Sequence, residues 1–240
     1  MGYSRSHRKF GINPAKTDIV GNQKAMRLLS VNLGKAELLA GAKDPYLSGI
    51  AKRAVEGRVR IGVEGLEGDF VGDSRYHGGP DQAVYLYGAA DYVWWEAELG
   101  RSLAPGTFGD NLTISAWESA GSSVGDRFSI GGVTLEVTSP RVPCATLSCH
   151  MGDSAFLKKF RRAERPGVYC RVICEGEVQA GDEVLFEPLC GETLGIMELY
   201  RDAFSPTKDA TTLRRHLAAP LAIRLRLPKE EALARIEATS

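Results

Sequence analysis

Residues 139–150, SPRVPCATLSCH, hold an arginine, two cysteines and a histidine directly after the apolar run VTLEVTS. Pro140, Arg141 and Pro143 precede Cys144, so this thiol sits in a stiff turn at a strand exit. Arg141 would lower its pKa, and so would the N-terminus of a helix starting at Ala145. A thiolate attacks electrophiles or binds a soft metal. Zinc would need Cys144, Cys149, His150 and one more ligand, and no C-x-x-C pair exists here. No C-x4-C-x2-C run supports an iron–sulfur cluster. Cys149 and His150 are read as structural, following the burial habit of free cysteine.

Two further segments carry candidate groups. In GLEGDFVGDSRYHGGPDQAVYLY, residues 65–87, glycines crowd around His77. Gly78, Gly79, Pro80 and Asp81 must turn tightly before a strand. Glycines let a backbone approach a ligand, and their N–H groups can cradle an anion. A plain turn with a capping histidine fits the same residues. In GTFGDNLTI, residues 106–114, Asn111 could hydrogen-bond a ligand or hold a turn. Cys170 and Cys174 alternate with Val168 and Val172 at strand spacing, which puts all four on one face as small buried side chains. Cys190 is given no role.

The elements that must position these groups are mostly short strands. RLLSVNLG, AKRAV, RVRIGV, QAVYLYG, NLTIS, RFSI, VTLEVTS, YCRVICEG and EVLFEP are rich in Val, Ile, Leu and Tyr and bounded by Gly, Pro, Asp or Ser. Gly131-Gly132 between RFSI and VTLEV predicts a two-residue hairpin. SVGDRFSIGG and QAGDEVLFEP echo each other as Gly-Asp turns entering strands. So many short strands predict a barrel or sandwich. AADYVWWEAELG is helical, with Tyr92, Trp95 and Leu99 on one face and Gly100 as its stop. SAFLKKFRRAE forms a second helix ended by Pro166-Gly167, its basic run a solvated face. Three helices follow residue 190, punctuated by Pro206 and Pro228. Thr207, Lys208 and Asp209 offer a cap before the middle one, and Pro228 suits the start of the last. Such a small unit buries little surface alone, so it must pack on the barrel or on a second subunit, and a homodimer through it is an expectation.

The 240 residues carry no net charge, which gives no ground for general nucleic-acid affinity. No apolar run approaches a membrane span. Residues 1–26 are polar, lack a secretory core and are read as a flexible tail, with the cytoplasm as the expected compartment. Five cysteines, an odd count in a chain this long, are taken as free thiols.

Taken in order, GLEGD, HGGPDQAVYLY, FGDNL and GDRFSIGGVTLEVTSPRVPCATL resemble the MOSC family, the domain found at the C-terminus of molybdenum-cofactor sulfurases and as stand-alone bacterial proteins. The helices after residue 190 resemble the C-terminal appendage of its YiiM subgroup, and the likeness runs from about residue 27 to the end. The resemblance implies a mainly β fold: a MOSC β-barrel over residues 27–190 with a few helices, then a three-helix appendage over 191–240. It implies a cleft for a molybdenum–pterin cofactor, with Cys144 supplying a thiolate to the metal. His77, Gly78, Gly79, Asp81, Asn111 and Arg141 match the family's motifs and would line that cleft. Arg141 suits the pterin phosphate, and His77 could protonate a leaving hydroxyl. The implied reaction is reduction of N-hydroxylated compounds, such as hydroxylaminopurines and amidoximes. No flavin or iron–sulfur motif is present, so a separate reductase would supply electrons. Some family members are fused to a domain that uses pyridoxal phosphate; no such domain is seen here, and that cofactor is not expected. Two other readings stay open. One is a sulfur or cofactor carrier working through Cys144. The other is a cysteine hydrolase pairing Cys144 with His77 or His150.

Overall fold

The computed structural model describes residues 19–20, 23–39, 45–72 and 77–238. Most of the tail expected over residues 1–26 therefore lies outside the described residues. The strands that build the body are β1 (Met26–Leu33), β2 (Arg53–Val55), β3 (Val59–Gly62), β4 (Val84–Gly88), β5 (Leu112–Ile114), β6 (Arg127–Ile130), β7 (Val133–Pro140), β8 (Val168–Cys174), β9 (Gly176–Val178) and β10 (Glu183–Glu187). Nine of the ten coincide with the runs that the sequence marked as strands.

The main sheet has the order β5-β4-β8-β7-β6-β10-β1-β2, and a further β5–β1 pairing closes it. Seven strands thus form a barrel, with β2 hanging on β1 outside the ring. The β4–β5 pair is parallel and the other neighbours are antiparallel. Closure removes the free edges that an open sheet would leave. Inward residues from every strand fill the ring, among them Leu28, Leu86, Leu112, Phe128, Leu135 and Val168, all fully buried.

The hairpin at Gly131-Gly132 forms, with Ile130 opposite Val133 and Gly131 at φ 56°. The two Gly-Asp echoes prove to be the same turn used twice. Asp126 accepts from Ser123 N–H at 2.7 Å and Asp182 from Gln179 N–H at 2.9 Å. The strands they launch, β6 and β10, pair with each other.

Helix α1 (Ala89–Leu99) ends at Gly100, φ 64°, as its spacing predicts. Trp95 and Tyr92 pack with Phe108, Phe156 and Phe160 into an aromatic layer outside the barrel. Helix α2 (Ala145–Met151) begins immediately after Cys144. Helix α3 (Phe156–Ala163) buries Phe156 and Phe160 and leaves Lys158, Lys159, Arg161 and Arg162 in solvent.

The C-terminal helices are α4 (Ile196–Asp202), α5 (Ala210–Ala218) and α6 (Ile223–Glu237). Asp209 caps α5, accepting from Thr212 N–H at 2.7 Å. Their apolar residues join the barrel: Leu194, Ile196, Leu199 and Leu221 belong to the main core. Pro228 is not at the start of α6. The helix begins five positions earlier, at Ile223, and carries the proline in its interior. Ala222 N–H bonds Thr138 O on β7, and that tertiary contact overrides the local start signal. Cys174 also departs from expectation. Cys170 is buried, but β8 shifts register against β7 between Thr134 and Leu135, and Cys174 lies exposed. Among the described residues no helix is long and apolar enough to cross a membrane.

Candidate functional site

The three chemistry-bearing segments meet at one cleft of about 1280 Å³. His77 and Gly78 enter from the loop before β4, Gly109 and Asn111 from the loop before β5, and Arg141 to Thr146 from the exit of β7. The far wall is a loop over Pro45–Ile50 together with Asp69–Gly72.

Cys144 is the N-cap residue of α2, in extended backbone at φ −123°. Its Sγ lies 4.0 Å from His77 Nε2. Burial alone would push this thiol up. The His77 contact, the Arg141 charge and the Leu147 N–H outweigh burial and bring it down to about 6. Cys144 is therefore mainly thiolate at neutral pH. Burial instead pushes Cys170 up, in the ring's interior.

Arg141 is 4 % exposed. It donates through Nη1 to Phe108 O and lies over the Tyr85 ring at 5.1 Å. Its Nε is buried without a hydrogen-bond partner. A charged, buried donor left open beside a cleft is a place for an anionic ligand group.

Asn111 is held from both ends. Its Oδ1 accepts from Tyr85 N–H at 3.1 Å, and its Nδ2 donates to Asp69 at 2.9 Å. Asp69 also accepts from Gly34 N–H at 2.7 Å and pairs with Lys52, both side chains being 8 % exposed. Burial holds the Lys52 ammonium below its usual range, with the Asp69 charge working against it. Lys52, Asp69 and Tyr169 line the cleft and were not among the expected site residues. Asp69 does stand in GLEGD, but Lys52 sits in AKRAV, where a lysine beside an arginine signals only an exposed strand face.

Gly79 and Asp81 stand outside the cleft lining. The Asp81 carboxylate turns instead to Arg171 at 2.9 Å and to Ile223 N–H at 2.7 Å. Cys149 and His150 line a separate small cavity of about 200 Å³ with Glu37 and Ser48. Burial, ahead of the Arg141 charge, lowers the pKa of His150.

The donor set tests whether a metal cofactor fits. Among the described residues no group of three His, Cys, Asp or Glu is placed to hold a bare ion. One soft thiolate beside a roomy cleft fits a metal that arrives with organic ligands of its own. The open Arg141 donor fits an anionic group on those ligands.

A family model described as "MOSC domain" matches residues 73–185. The uncharacterized protein YflK of Bacillus subtilis is 32% identical over 196 residues, covering 82% of this chain and 89% of that one. Protein YiiM of Escherichia coli is 33% identical over 137 residues, covering 55% of this chain and 61% of its own length. The crystal structure of YiiM from Geobacillus stearothermophilus superposes with a TM-score of 0.71 at 23% identity, covering 87% of this chain and 99% of that one.

Proposed function

The chain belongs to the MOSC domain family, in its YiiM-like group, and from that premise we propose that it binds a molybdenum–pterin cofactor and reduces N-hydroxylated compounds. The substrates are of the hydroxylaminopurine and amidoxime kind, the products are the amino forms, and a separate flavin or iron–sulfur reductase supplies the electrons. The observation that carries the reading is the Cys144 thiolate, 4.0 Å from His77 Nε2, at the wall of a cleft large enough for cofactor and substrate together.

When bound, the cofactor would supply two-electron redox chemistry at the metal. The chain's own residues do the rest. Cys144 offers the single protein thiolate. Arg141, at the cleft wall with its Nε unpaired, would attract an anionic group of the cofactor by its charge. His77 lines the cleft, where it is placed to pass a proton to an N-hydroxyl oxygen leaving as water. The Lys52–Asp69 pair fixes Asn111 and with it the loop before β5. Tyr85 and Tyr169, their rings 5.0 Å apart, close the floor beneath Arg141 and limit water there.

The deciding experiment measures molybdenum and pterin in protein purified from a host that makes the cofactor, beside Cys144→Ala. Near-stoichiometric metal in the natural chain and its loss in the variant are expected. Reductant-dependent conversion of benzamidoxime to benzamidine should follow. Cofactor that binds and passes to an acceptor without turnover would replace this reading with that of a carrier. No metal or pterin, even after reconstitution with free cofactor, would end it.

A further inference from the structure

The loop that brings His77 to Cys144 is fastened from behind by the C-terminal helices. His77 is followed by Gly78 and Gly79 at φ 70° and 83°, then by a single 3-10 turn over Pro80–Gln82. A glycine pair imposes little stiffness of its own. The position of the loop must be set by what holds the turn, and Asp81 holds it. Its Oδ1 accepts from Arg171 Nε at 3.0 Å, and its Oδ2 accepts from the backbone N–H of Ile223 at 2.7 Å, the first residue of α6. Its carbonyl accepts from Thr138 Oγ1 at 2.6 Å. Arg171 in turn donates to Pro220 O and Leu221 O, each at 3.1 Å. Beside it, Gln82 accepts from Arg224 Nη1 at 3.2 Å. A carboxylate on a helix N-terminal N–H is a charge-assisted bond with favourable dipole alignment. β8 and the start of α6 are thus tied to the His77 loop at the Asp81 carboxylate, and β7 at the Asp81 carbonyl, outside the cleft lining.

We infer that Asp81 is a positioning residue. Together with the first turn of α6 it sets where His77 stands relative to Cys144, so the C-terminal helices act on that pair without lining the cleft. The inference rests on His77 belonging to the site, and it holds whichever group the cleft binds.

Ile223→Pro tests this with little else disturbed. Proline is accepted at a first helical position, and Ala222, at φ −55° and ψ 138°, already has the backbone that proline asks of its predecessor. The Ile223 side chain is 49% exposed, so the change removes mainly the N–H given to Asp81. Ile223→Ala keeps that N–H and is the control. The four histidines give a simple proton–carbon spectrum, in which His77 is identified by its loss in His77→Gln. The His77 signal should move in Ile223→Pro and in Asp81→Asn and stay put in Ile223→Ala. The Gln82 amide, bonded to Gly79 O, should exchange roughly tenfold faster in the first two, the effect of losing one charge-assisted bond. A His77 signal unmoved in Ile223→Pro with α6 still helical, or moved as far in Ile223→Ala, would overturn the inference. If Ile223→Pro does not fold, Asp81→Asn decides by the same two readouts.

Discussion

Cys144 Sγ and His77 Nε2 lie 4.0 Å apart although 67 positions separate the residues in the chain. The contact joins the exit of β7 to the loop before β4, two strands that never pair. β8 lies between them and sets their spacing. The thiol's chemistry is a property of this junction rather than of the PRVPC segment alone.

The first prediction concerns pH. Burial works to raise the Cys144 pKa, and His77, Arg141 and the Leu147 N–H bring it to about 6. The thiolate is the reactive form, so iodoacetamide labelling of the cofactor-free protein should rise through about pH 6. An ordinary thiol titrates near ~8.5. Peptide mass spectrometry separates Cys144 from the exposed Cys174 and Cys190, which serve as internal references. His77→Gln should move the Cys144 midpoint upward. The folded pKa lies below the unfolded one, so the associated stability is fully present above the ordinary thiol range and is lost as pH falls through about 6. A midpoint near the ordinary thiol value would remove the case for a poised thiolate.

The second concerns the buried pair. Asp69→Ala would leave the Lys52 ammonium and Gly34 N–H without their partner, and Asn111 Nδ2 with only Asn32 O at 3.5 Å. Stranding one member of a buried ion pair costs about 3–5 kcal/mol. Urea unfolding should show a loss of that order, with Lys52→Met losing less because the Asp69 carboxylate left behind keeps the Gly34 N–H and Asn111 Nδ2 as donors. Equal losses for the two variants would mean that the charge of Lys52 is not the cause.

The third concerns the far wall of the cleft. A Cβ on Gly49 would sit 1.8 Å from Phe70 O, and one on Gly34 would sit 2.1 Å from Gly49 O. These three backbones are stacked with no room between them. Gly49→Ala must push the loop over residues 45–50 away from Asp69–Gly72. We expect a stability loss of about 1–3 kcal/mol or more, the usual cost of overpacking. Thermal unfolding of this variant beside Gly100→Ala, where nothing stands within 4 Å of the added atom, separates crowding from the backbone strain of a left-handed glycine.

The fourth concerns α6. Pro228 lies inside the helix, where it removes one backbone hydrogen bond and crowds the preceding turn. Pro228→Ala should stabilise the protein, by up to about 3 kcal/mol. An unchanged or lower unfolding midpoint would show that proline at this position is needed for packing on the barrel.

Much of this molecule is legible in its sequence because the information is local. Strand runs, the Gly131-Gly132 hairpin, the Gly100 stop and the Asp209 cap follow from backbone preference and side-chain periodicity within a few residues. Cys144, His77 and Arg141 could be singled out by residue type and by the stiffness of their turns. What the sequence could not determine depends on contacts between distant segments. Lys52 in AKRAV became a buried partner only when the loop carrying Asp69 folded against it. Asp81 could be placed in the right loop but not on the right side, because its partners, Arg171 and Ile223, come from β8 and the C-terminal helices. Cys174 left the buried face through a register shift set by the β7–β8 pairing. Pro228 was moved inside a helix because the bond from Ala222 to Thr138 starts α6 earlier than its own residues would. The residue types and local turns were determined by the sequence itself. Which side chains meet, and therefore which thiol is poised, was decided by closure of the barrel and by where the last helices dock.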